Sequence, residues 1–596
     1  MLKAAIIFLL ATVSLRADEA GQEARFKKLP PGDVVSPQHV IEGMALALGR
    51  TNPLGYAEKI ELTDGRGFDT AMRIVTRRPA AHPWSFQATA KTSAAAKRGD
   101  VMLAVFWARA AGASEEVESA FVFEHGGASR ERSAHFRISC EREWKRFFVP
   151  FRAVRDEPAG EAVMRFHAGF GPQVIEIGGL EVFNYGRRVR LGDLPYTPLN
   201  YKGREPGAAW RAEAAARIEK LRKAAMFITV RNAKGKIVPW THIRVRQVRH
   251  AYDFGSAVSA EPLLGKGDDS DMYRDVIMRA FNNVVLENAL HWPAWESGRQ
   301  RALDAVAWLR GAGIGVRGHA LLWPGWKHLP AGSESLAAKP AELRKRILDH
   351  TRDIVGALKG QVSEWDAVNE AVRNTDIQRA LGQGILAEVF KTAHEADANA
   401  RLFINDRGIF AMGGKDTGHQ DAFFKILKGL LDAKAPVHGI GIHAHFDDML
   451  PPPVQVWEIL DRFGALKLPI KVTDFDVDVW DEQAIADYTR DFMTAVFAHP
   501  CTAGIGMSDF WENHHRAANA AHWSADWSLR PAGRVWYDLV YKTWWTDVRA
   551  QTSGRGVAKV RGFTGDYVIE LGSGEKMKTV PFKLTKAGKW MTVTLP

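Results

Sequence analysis

Between residues 254 and 511, eight short apolar runs (254–258, 281–288, 315–323, 362–370, 402–406, 439–446, 470–477 and 504–511) alternate with longer helical stretches such as 299–309 and 343–358. Apolar runs of this length, each followed by an amphipathic segment, predict parallel strands joined by crossover helices. Eight of them over roughly 250 residues predict a closed barrel. The expected fold class is α/β: a (β/α)8 TIM barrel, preceded by an all-β jelly-roll sandwich and followed by a small C-terminal β appendage. The barrel also says where chemistry must lie, because sites in this architecture form at the C-terminal ends of the strands.

The strand ends carry Glu287, Asn288, His291 and Trp292; His319 and Trp323; Asn369 and Glu370; Asn405 and Asp406; His443 and His445; Asp474 and Asp476; Asp509, Trp511 and Glu512. A single strand-end histidine is more often a satisfied structural residue, and a single aspartate a helix cap. Seven polar or aromatic endings out of eight, converging on one mouth, predict a pocket. The stretch QVSEWDAVNEAVRN, residues 361–374, is the most pointed of them. Its strand delivers Asn369 and Glu370 at the exit, with Trp365 close by. The amide can donate to a hydroxyl, and an apolar wall can raise the carboxyl pKa, which is the equipment of a general acid.

Two carboxyls on opposite sides of the mouth, one after the fourth strand and one after the seventh, suit cleavage of a glycosidic bond, in which one protonates the leaving oxygen and the other attacks the anomeric carbon. Histidine and amide side chains hydrogen-bond hydroxyls, and tryptophan faces stack on pyranose rings. A metal-dependent hydrolase is the competing reading. His443 and His445 stand two apart on one strand, so they can face the same side as a ligand pair. A third ligand would have to come from His319 or from an aspartate on another strand, and no spacing singles one out. No metal and no cofactor is therefore expected.

The segments FNNVVLEN, GHALLW, WDAVNE, FIND, GIGIHAHF and VTDFDV, in this order, resemble glycoside hydrolase family 10, the retaining endo-1,4-β-xylanases, across residues 254–547. The resemblance implies that Glu370 is the acid/base and that Asp474 occupies the nucleophile position. It implies too that Glu287, Asn288, His319, Trp323, Asn369 and His445 bind sugar at the cleavage point and its non-reducing side. The expected substrate is an internal β-1,4 linkage of xylan or a related plant polysaccharide. Several positions depart from the family pattern. Asp474 stands for Glu, which withdraws the carboxylate by roughly 1 Å; His291 stands for Lys, Pro324 for His and His443 for Gln. After Trp511 the lid tryptophan is missing from WENHHRAAN, leaving Trp523 or Trp527 to supply it. Such clustering gives an alternative, a catalytically weakened or inactive polysaccharide-binding homologue.

The remainder of the 596 residues divides around the barrel, which is assigned to residues 251–548. Lys3, the apolar run 4–11 and SLRA at 14–17 predict a secretory signal peptide over 1–17, and hence a secreted or periplasmic protein. Alternating runs over 33–185 predict the sandwich; its WKRFFVPF stretch resembles jelly-roll carbohydrate-binding modules, with Trp84 and Trp107 as candidate stacking residues. Residues 186–250 read as a linker, a helix at 208–224 and a β-hairpin leading into the barrel, and 549–596 as the appendage. The net charge of +11 is spread without a basic run interleaved with aromatics, so no nucleic-acid partner is expected. No segment beyond the first twenty residues suits a membrane, and a monomer is expected. With only Cys140 and Cys501, no disulfide framework forms, and both read as buried free thiols.

Overall fold

The computed structural model describes residues 20–46, 53–63, 67–78, 80, 82–127, 131–572 and 577–595, and the segment read as a signal peptide lies outside them. The chain divides into two compact units, residues 1–200 and 201–596. In the first, two antiparallel sheets of six and five strands stack on each other. Their inner faces meet through aromatic rings, with Phe106 of one sheet 5.5 Å from Phe121 and 5.0 Å from Phe166 of the other. The runs expected at 174–177 and 180–183 are one strand, Gln173–Gly186, broken by a bulge between Gly178 and Glu181. Gly179 turns that bulge with φ +59°, a conformation a side chain resists. Cys140 is a buried free thiol as expected, whereas the free Cys501 is only half-buried.

In the second unit all eight expected runs are strands of a closed parallel barrel. They are β1 (Asp253–Ser259), β2 (Asn283–Glu287), β3 (Gly315–Leu322), β4 (Glu364–Asn369), β5 (Arg401–Asp406), β6 (Gly439–Phe446), β7 (Ile470–Val477) and β8 (Thr502–Met507). β8 ends earlier than its apolar run, so Asp509, Trp511 and Glu512 belong to the loop that follows it. Among the described residues no helix is long and apolar enough to cross a membrane.

Tight packing between β3 and β4 fixes this part of the barrel. The Trp365 indole, 1% exposed, lies where a side chain on Gly318 would be: a Cβ there would fall 2.2 Å from the ring. Gly318→Ala is expected to lower unfolding free energy by about 1–3 kcal/mol, the usual cost of overpacking, measured by chemical denaturation. The same packing removes Trp365 from the role suggested by its sequence neighbours. It lies against Gly318 and is not among the residues that line the cleft.

The segments flanking the barrel require a correction. Strands Lys223–Arg231 and His242–His250 do not form the expected hairpin. The first pairs with Val557–Phe563 and Lys589–Thr594, the second with Asp547–Gln551 and Gly565–Leu571. Each strand alternates buried and partly exposed residues, and the buried sides (Met226, Ile228 and Val230 of one, Ile243 and Val245 of the other) share one apolar core with Tyr567, Ile569 and Leu584. The two strands therefore sit in different sheets sharing one core. The strands of the expected C-terminal β appendage complete those sheets, so chain from before and after the barrel forms a single β body.

Candidate active site

The cleft at the C-terminal ends of the barrel strands has a volume of about 1080 Å³. Glu287, Asn288, His291, His319, Trp323, Glu370, His443, His445 and Asp474 all line it, so nine of the expected site residues are brought together. Three of these are held in the left-handed region: Asn288 (φ +58°) and Glu370 (+51°), just past the ends of β2 and β4, and Asp474 (+50°), inside β7 where its pairing register shifts. Non-glycine residues held there cost on the order of 1–3 kcal/mol each, and such strain collects at functional sites. The Glu370 N–H donates to the Asn405 carbonyl at 2.8 Å, which helps to hold its turn.

Glu370 and Asp474 share one neighbour. His443 Nδ1 lies 3.7 Å from Glu370 Oε1 and 3.2 Å from Asp474 Oδ2. The two carboxyl oxygens can therefore be no more than about 7 Å apart, the two distances laid end to end. This admits the 5–5.5 Å typical of double displacement and rules out most of the wider range needed to seat a water between two carboxyls. Burial pushes the Glu370 pKa above the ordinary glutamate value, although Arg407 at 3.9 Å opposes the rise. The carboxyl thus keeps its proton to higher pH than an exposed glutamate, as a general acid requires. His443 is 4% exposed, and burial lowers its pKa to about 4, so at neutral pH it is an uncharged imidazole.

Two histidines are oriented by carboxylates behind them. His319 Nδ1 donates to Asp366 Oδ2 at 2.8 Å, and His445 Nδ1 donates to Asp476 Oδ2 at 2.7 Å. Burial by itself would lower both histidine pKa values; the hydrogen bond and charge of the aspartate outweigh it and raise them. Each ring is thereby fixed with Nε2 as its free nitrogen. Asp476 also accepts from Ser508 Oγ at 2.7 Å. Beneath the cleft, the barrel holds a buried ionic floor. Arg317 donates to Asp366 at 2.5 Å and lies 3.4 Å from Glu364, and Lys471 donates to Glu364 at 2.5 and 2.6 Å.

The remaining expected residues stand apart from the cleft wall. Asn369 is fully buried, and among the described residues neither its amide nitrogen nor its amide oxygen has a hydrogen-bond partner. Trp523, 6% exposed, packs on Phe510 and Phe281 and belongs to the core, which corrects its candidacy as a lid. Trp527 stacks on Trp511 at 4.3 Å and donates its indole N–H to Asp269, and neither ring is part of the cleft lining. The strand-end reading missed Arg407 and Arg516, which line the cleft. Arg407 directly follows FIND and Arg516 ends WENHHR, so position after a strand was the available signal, and attention to carboxylates obscured it.

A closed parallel barrel with carboxyl, imidazole and indole groups gathered at the strand exits is the architecture of a barrel enzyme. The chain belongs to glycosyl hydrolase family 10, whose family model matches residues 245–534. Endo-1,4-beta-xylanase B of Paenibacillus barcinonensis is 31% identical over 248 residues, 39% of this chain and 70% of that protein. Anti-sigma-I factor RsgI6 of Acetivibrio thermocellus is 30% identical over 369 residues, 61% of this chain and 47% of that protein. Endo-1,4-beta-xylanase 1 of Arabidopsis thaliana is 27% identical over 385 residues, 63% of this chain and 40% of that protein. The chain thus spans less than half the length of these last two relatives.

Proposed function

We propose that the protein is a glycoside hydrolase that cleaves internal β-1,4 linkages of xylan or a related polysaccharide, with Glu370 as acid/base and Asp474 as nucleophile. The observation that carries this reading is the placement of both carboxyls against one His443 nitrogen at the open end of the barrel. Family membership and the xylanase relatives support the substrate class, and the distance bound supports retention of configuration. Glu287, Asn288, His291, His319, Trp323, His443 and His445 would hold the sugar.

A second reading, a polysaccharide-binding homologue with little turnover, is favoured by one feature. Asp474 is a methylene shorter than the glutamate of the family pattern, and a misplacement near 1 Å can cost about a hundredfold in rate. Reducing-sugar release from xylan separates the two. A hydrolase shows turnover in the wild type that falls to background in Asp474→Ala. A wild type near background that gains roughly a hundredfold in Asp474→Glu supports the binding reading.

The N-terminal sandwich is proposed to bind the same polymer. Trp84, 40% exposed and stacked on His82 at 4.6 Å, supports this by offering a flat apolar face to solvent. Trp84→Ala is expected to weaken retention on insoluble xylan severalfold in a pull-down assay, the loss of one stacking contact of about 1 kcal/mol. The apolar run behind Lys3 supports export.

A further inference from the structure

His443, His445 and Asp474 bring one ligand atom each within 4.8 Å of one another, although they come from two strands and His443 is buried. Among the described residues both His443 ring nitrogens lack a hydrogen-bond partner: Nδ1 is too far from Glu370 at 3.7 Å, and its 3.2 Å approach to Asp474 is close without forming a hydrogen bond. A buried polar atom left this way costs about 1–3 kcal/mol unless a ligand satisfies it. The 3.2 Å from His443 Nδ1 to Asp474 Oδ2 has a further meaning. Two ligands bound at 2.0–2.1 Å to a tetrahedral zinc ion are separated by about 3.3 Å, so this pair already stands at the edge length of such a site.

The third ligand is supported from behind. His445 gives its Nδ1 proton to Asp476 and turns Nε2 toward the cleft, and Asp476 is itself held by Ser508. A carboxylate behind a histidine fixes the tautomer and raises ligand basicity in metal sites. The Glu370 carboxylate adjoins the cluster, and the open cleft gives water or a ligand access to the remaining coordination position. Two imidazoles and one carboxylate suit zinc, cobalt, nickel or copper better than calcium or magnesium, which prefer oxygen alone.

We propose that His443, His445 and Asp474 form a binding site for one divalent transition cation of the zinc type. Binding engages the Asp474 carboxylate, so the cation and an anomeric carbon compete for the same oxygen. The inference depends on the cluster's geometry and stands whether or not the protein turns over xylan.

The test is titration of the untagged, metal-stripped full chain with Co2+, followed by visible absorption, and with Zn2+, followed by calorimetry. The expected result is saturation at one equivalent with the intense bands of four- or five-coordinate cobalt. His443→Gln and Asp474→Asn should each weaken binding by more than about 100-fold, and Asp476→Asn by roughly 10–100-fold as an outer-shell partner. His514→Asn, which changes another histidine of the cleft, should bind as wild type. Asp474→Asn keeps the side-chain shape, so it preserves the test if His443→Gln fails to fold. A weak six-coordinate cobalt spectrum, or binding by folded Asp474→Asn within threefold of wild type, overturns the proposal.

Discussion

Replacing Glu370 with Gln is expected to lower the rate of xylan cleavage by about 10²–10⁴-fold, the range in which a positioned general acid acts. Glutamine keeps the size of the side chain and the amide can still meet Asn374, whose Nδ2 lies 3.3 Å from Glu370 Oε2. What it removes is the proton for the leaving oxygen. The loss should therefore depend on the leaving group. An alkoxide leaving from a xylan chain needs that proton, whereas a nitrophenolate leaves nearly as well without it. Bond cleavage in an aryl β-xyloside bearing an acidic phenol should fall far less in Glu370→Gln, as read by the initial burst of phenol release. Equal losses on both substrates would remove Glu370 from the acid role and leave it as a binding residue.

Arg317→Met is expected to cost about 3–5 kcal/mol of unfolding free energy, because it leaves the buried Asp366 carboxylate without its main counter-charge and takes one of three cations from Glu364. Asp366 is 1% exposed and Glu364 fully buried. Burial alone would raise both pKa values, but Arg317 and His319 for Asp366, and Lys471, Arg317 and Arg401 for Glu364, pull them below the ordinary carboxylate range. The sign for acid stability follows. A carboxyl whose folded pKa is depressed contributes stability that is fully present above its unfolded value, near 4, and is lost as pH falls below it. Wild-type stability should decline below about pH 4 by up to 1.4 kcal/mol per pH unit for each such carboxyl. In Arg317→Met the barrel should start lower and show a shallower acid slope, measured by urea unfolding from pH 7 to pH 3. An unchanged slope would show that the floor does not govern acid stability.

These two experiments probe neighbouring layers of one structure. Asp366 accepts from Arg317 in the floor and from His319 in the cleft wall, so the floor that stabilises the barrel also orients a group lining the cleft. Loss of Arg317 should therefore disturb the cleft as well, although Arg317 is almost completely buried beneath it.

The barrel was legible because its information is local. Strand-length apolar runs, their helical spacers and the polar residue that ends each run all lie within a few positions of one another, and a closed parallel sheet is the arrangement that buries eight such runs. Glu287, Glu370 and Asp474 could be assigned to one mouth by the same reasoning, since strand direction alone puts their positions at one end. Backbone pairing of Lys223–Arg231 with strands more than three hundred residues later could not be read this way. Its period-two pattern gives a buried face and says nothing about which strand lies beside it. Trp523 was misread for a related reason: an aromatic side chain in a loop has no local signal that separates a core ring from a lid.

By itself, then, the sequence determined the closed sheet and the end at which polar and charged side chains gather, because period, strand length and chain direction are local properties. Only the tertiary structure decided that His443 touches both acids, that Asp366 and Asp476 stand behind His319 and His445, and that chain from either side of the barrel closes one β body. Those contacts depend on side-chain direction and long-range pairing, which the packing of the whole unit sets and no stretch of sequence encodes alone.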